Sequence, residues 1–68
     1  MKISARNVLK GTIVEVQRGQ TTAHVRIDIG GAILTASITN EAVDDLQLRV
    51  GQDALAVIKA SNVLIATP

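Results

Sequence analysis

Apolar and polar residues alternate along most of the chain, and the period of that alternation sets the elements. Thr12-Ile13-Val14-Glu15-Val16 is rich in β-branched residues and closes on a turn signal, Gln17-Arg18-Gly19-Gln20. Thr22 to Ile29 alternates strictly. Ala23, Val25, Ile27 and Ile29 share one face, and Thr22, His24, Arg26 and Asp28 share the other. That period of two predicts a half-buried strand. Gly30-Gly31 supplies the positive φ of a tight hairpin. Ala32 to Thr39 reads as a third strand, with Ala32, Leu34, Ala36 and Ile38 on one face.

The pattern changes at Thr39-Asn40. Either residue can cap a helix, and Glu41, Asp44 and Asp45 place negative charge near its positive end. Ala42, Val43 and Leu46 form the apolar stripe of a helix of about two turns, ending before Val50-Gly51. Leu55 to Ala60 and Val63 to Ala66 are two further strand-like runs, separated by Ser61-Asn62. The predicted order is three strands, one short helix and two strands. That is the element order of a five-stranded OB-type barrel, with the helix between strands three and four. The expected class is all-β, as one domain over residues 1–68.

Composition narrows the function. The chain contains no Phe, Tyr, Trp or Cys, and its formal net charge is +1. A disulfide scaffold and a Cys-based zinc site are excluded. With one His, no metal site is expected and no nucleophile–base pair can be assembled, so the chain is not expected to be an enzyme. An OB module that binds nucleic acid needs aromatic platforms and a basic groove, and this chain has neither. No apolar run approaches the roughly 18 residues of a membrane span. Met1 to Leu9 is too polar for a secretion signal, so the expected compartment is the cytoplasm. A chain this short rarely stabilises a fold alone, yet 47% of its residues are apolar. Part of that surface is expected to meet another copy.

Three polar features interrupt the pattern. Ser4, Arg6, Asn7 and Lys10 crowd the N-terminal segment with donors that suit a tetrahedral oxyanion, and the same residues also make an ordinary solvated strand entrance. Lys59 follows Val57-Ile58 in an apolar strand, so it faces either solvent or a subunit junction with a bound anion. Thr39 is either a simple N-cap or part of an anion site.

The opening Met1-Lys2-Ile3-Ser4-Ala5-Arg6-Asn7-Val8-Leu9-Lys10-Gly11 resembles the signature of the molbindins, the small molybdate-binding proteins also called molybdenum-pterin-binding proteins, each built of one Mop domain. The resemblance extends over the whole chain. It includes the Gly30-Gly31 hairpin, Ser37-Ile38-Thr39, Val50-Gly51 and Val57-Ile58-Lys59-Ala60-Ser61-Asn62-Val63. It implies an OB-like barrel assembled as a homohexamer, a trimer of dimers. It also implies molybdate or tungstate bound between subunits, with no other cofactor. Carried over residue by residue, the site is Ser4, Arg6, Thr39, Lys59 and Ala60, with Ser61 as a further candidate. Some members carry a second hydroxyl three positions after Thr39. Here that position is Ala42. The function implied is oxyanion storage and homeostasis without catalysis, against the alternatives of a nucleic-acid module or a purely oligomerising scaffold.

Overall fold

A computed structural model describes residues 1–68. Strand β1 (Asn7–Arg18) is followed by β2 (Thr22–Asp28), β3 (Ile33–Thr39), helix α1 (Asn40–Leu46) and β4 (Asp53–Ile58). A 3₁₀ turn at Ala60–Asn62 follows β4. The four strands make one antiparallel sheet in the order β3-β2-β1-β4.

β1 is the hinge of the sheet. Its first half, Asn7 to Thr12, pairs with β4, and its second half, Thr12 to Arg18, pairs with β2. Thr12 therefore has Asp28 on one side and Asp53 on the other. The register slips between Ile13 and Glu15, leaving Val14 as an exposed bulge. Such a bulge bends the strand and strengthens its twist. It also changes which residues face inward: Asn7, Leu9, Gly11 and Ile13 before it, Val16 after it. The curl brings backbones close at Gly11, where a Cβ would stand 2.5 Å from the carbonyl oxygen of Asp28. Only glycine fits there.

The β2–β3 hairpin turns at Gly30-Gly31, both with positive φ (91° and 101°), as the sequence predicts. The Asp28 carboxylate steadies it by accepting the Gly30 N–H at 2.8 Å. The predicted alternation of β2 holds: Ala23, Val25 and Ile27 are buried, and with Ile13 and Val43 they form the core. Val16, Ile29, Ile38, Leu48, Ala54 and Ala56 pack around it. The Thr39 side-chain oxygen caps α1, accepting the Ala42 N–H at 3.1 Å, and Gln47 ends the helix in the left-handed conformation. Of the expected helical stripe, Val43 is buried and Ala42 half-buried, whereas Leu46 is exposed.

The class is all-β and OB-like, a curled sheet with one short helix, but it has four strands rather than five. β4 ends at Ile58, two residues earlier than predicted, because Asn62 N–H bonds to Lys59 C=O (2.9 Å) and Val63 N–H to Ala60 C=O (3.2 Å). This turn leaves the tail from Val63 clear of its own sheet. The expected fifth strand, Val63 to Ala66, has no partner and no regular structure. Leu64 and Ile65 are 90% and 88% exposed. The outer edges of β3 and β4 also remain unpaired. Between them opens an apolar cleft of about 590 Å³. Leu34, Ala36, Ile38, Ala54, Ala56 and Ile58 are among the residues that line it. No helix is long and apolar enough to cross a membrane.

Candidate functional site

The β1–β4 pair ends at the rung Asn7–Ile58. The next residue outward on each side is Arg6 and Lys59, then Ala5 and Ala60, then Ser4 and Ser61. One mouth of the sheet thus carries the segments Ser4–Arg6 and Lys59–Ser61, which hold five of the six residues expected at the site, although the two segments lie more than fifty positions apart in sequence. All five are exposed.

Two of the seven basic residues are paired with carboxylates. Arg18 bonds Asp44 at 2.5 Å, and Arg26 bonds Glu15 directly across the β1–β2 ladder. Neither Arg6 nor Lys59 forms an ion pair with a carboxylate. Arg6 and Lys59 flank the last rung, and like charges facing each other across a strand pair repel. An anion held between two such cations would offset the repulsion, and the Ser4 and Ser61 hydroxyls in the same two segments can donate further hydrogen bonds. Lys10 differs, because it lines the same shallow hollow as Asp28 and Asp53.

Thr39 is the expected residue that one chain does not bring to the mouth. It ends β3 opposite Thr22 of β2, next to the rung where Arg18 meets Ala23 at the far end of β1. The twelve residues of β1 separate it from Arg6. Its side-chain oxygen accepts the cap bond, which leaves its own O–H free to donate.

One side chain of the N-terminal polar cluster has a role within the sheet. Asn7 is half-buried and donates its Nδ2–H to the Ile58 carbonyl at 3.3 Å. The signal was a polar residue at an inward position in the series 7, 9, 11, 13. It was masked because the strand was predicted to begin only at Thr12.

The profile of the TOBE domain matches residues 3–65. A probable molybdenum-pterin-binding protein of Haemophilus influenzae is 48% identical over 66 residues, covering 96% of each chain. The chain belongs to the Mop family of TOBE domains. Among solved members, a molybdate-binding protein of Sporomusa ovata superposes with a TM-score of 0.94 at 37% identity, over 98% of this chain and all of that one. ModG, a cytoplasmic molybdate-binding protein solved with molybdate bound, gives a TM-score of 0.94 at 42% identity. The Mop chain described here aligns over its whole length with 49% of ModG. By these descriptions, the relatives are binding proteins.

Proposed function

We propose that this Mop domain binds molybdate, and tungstate by the same contacts, as a cytoplasmic store that performs no chemistry on its ligand. The observation that carries this reading is the Arg6–Lys59 mouth, where two segments that each carry a serine and a cation without a carboxylate partner leave the same rung. Three relatives described as molybdenum-pterin- or molybdate-binding support the choice of ligand. Ser4, Arg6, Lys59, Ala60 and Ser61 of one copy supply cations, hydroxyls and backbone N–H groups. Thr39 of another copy completes the shell.

The assembly is a homohexamer, a trimer of dimers, of a chain that acts as a single domain over residues 1–68. The chain exposes 5391 Å², whereas a compact monomer of 7.1 kDa exposes about 4,100 Å². The difference, roughly 1,300 Å², exceeds the ~800 Å² that one partner contributes to a standard interface. The apolar tail and the apolar cleft are the two largest unsatisfied features, and each suits the other. The tail of one copy, laid between β3 and β4 of a second, gives every free strand edge a neighbour and supplies the fifth strand.

Equilibrium dialysis against molybdate tests the function, with sulfate at equal ionic strength as the control. Retention of molybdate well above sulfate is expected. Equal retention of both would reduce the protein to a general anion binder and end the storage reading.

A further inference from the structure

We infer that Asn7 is the positioning residue of the oxyanion site. This deepens the proposed function and rests on it. Arg6 and Lys59 flank the last rung of the β1–β4 pair, beyond which no backbone pairing holds the two segments together. The Asn7 amide ties them at that rung. Its Nδ2–H bonds the Ile58 carbonyl, a contact between residues 51 positions apart. Ile58 is bonded directly to Lys59, so fixing its carbonyl fixes where the ammonium starts. Asn7 is likewise bonded to Arg6. One side chain thus holds both ligand-bearing segments without touching the ligand.

Asn7 is half-buried between the exposed Arg6 and Val8, so its amide turns inward while its neighbours turn out. The spacing of the two cations then depends on Asn7, and with it the discrimination between a large tetrahedral dianion and the smaller sulfate.

Titration calorimetry on the assembled protein tests this with molybdate and with sulfate. Asn7→Leu keeps the branched shape of the side chain and removes the donor. It is expected to weaken molybdate binding roughly tenfold, the lower end of what the loss of an outer-shell partner does to a metal site. The preference for molybdate over sulfate is expected to narrow with it. Asn7→Gln, which retains a primary amide, should recover most of both. Gln52→Ala is the matched control. It removes the side-chain oxygen that accepts the Arg49 N–H at 3.0 Å, away from the mouth. It should leave both binding constants unchanged even if stability falls. A Leu variant with wild-type affinity and wild-type preference overturns the assignment.

Should Asn7→Leu fail to fold, the wild-type protein decides. The side-chain amide signals of Asn7 in a proton–nitrogen spectrum should shift and exchange more slowly as molybdate is added. Signals that stay in place overturn the proposal. Absence of molybdate binding by the wild-type protein is a different result, which removes the binding reading and Asn7's role together.

Discussion

The two ends of β1 are built from similar residues to opposite effect. At the C-terminal end, Arg18 and Arg26 each hold a carboxylate, and the strand covers Ala23 and Val25 of the core. At the N-terminal end, Arg6 and Lys59 flank the rung Asn7–Ile58 with no carboxylate on either. The first end is satisfied within one chain. The second leaves both of its cations without a partner in the chain. Only Arg18 and Arg26 are paired with carboxylates; Arg6 and Lys59 are left unpaired, as are Lys2, Lys10 and Arg49.

The largest test of this contrast removes the tail. A chain ending at Asn62 keeps its core and both ion pairs but loses Leu64 and Ile65. It should fail to assemble, so that sedimentation gives a mass far below the six times 7.1 kDa expected of the full chain. A truncated hexamer would show that the tail is not the assembling element.

Next in size is Arg6→Ala. In the proposed site Arg6 would be one partner of a desolvated charge pair, and losing such a partner costs about 2–5 kcal/mol of binding. Lys10→Ala, whose ammonium shares its hollow with Asp28 and Asp53, should change molybdate binding little. Equal losses by calorimetry would erase the distinction between ligand cations and fold cations.

Molybdate should also raise the melting temperature. A ligand that binds only the native assembly adds about 2.7 kcal/mol per site at a hundredfold excess over its dissociation constant. Sulfate at equal ionic strength should shift melting far less, and Lys59→Ala should remove the molybdate-specific part. Persistence of that part in Lys59→Ala would move the site away from the β1–β4 mouth.

The smallest effect belongs to the satisfied end. The side chains of Arg18 and Asp44 are 47% and 66% exposed, so their ion pair is screened by solvent. Arg18→Ala should cost less than about 1 kcal/mol of stability and leave molybdate affinity unchanged. A larger loss would mean that the pair does more than close the end of β1.

How much of this was legible in the sequence follows from the reach of each signal. The faces of β2, the Gly30-Gly31 turn and the Thr39 cap are set by residues within a few positions of one another, and all are found as predicted. The bulge at Val14 was not legible. Ile13, Val14 and Val16 are apolar on both faces of the run, so no change of phase appears in the pattern. The start of β1 was missed because Arg6, Asn7 and Lys10 read as a polar approach to a strand, while their place on the ladder depends on β4. The tail has strand composition, but composition does not supply an edge to pair with. The meeting of Arg6 and Lys59 depends on a register fixed only by the distant rung Asn7–Ile58.

The long reach of that rung has a consequence for the order in which the molecule is built. The β1-β2-β3 meander closes through turns of a few residues, whereas the contact from Asn7 to Ile58 closes a loop of 51 positions. Loop entropy makes that closure about 2 kcal/mol costlier than a four-residue turn. We therefore expect β4 to dock last during folding and to detach first during local opening. Amides of β4 should exchange with solvent faster than those of β2; equal rates would argue for a single cooperative unit. The last rung formed is also the one that Arg6 and Lys59 flank, so opening of β4 alone would separate the two proposed ligand cations without unfolding the meander.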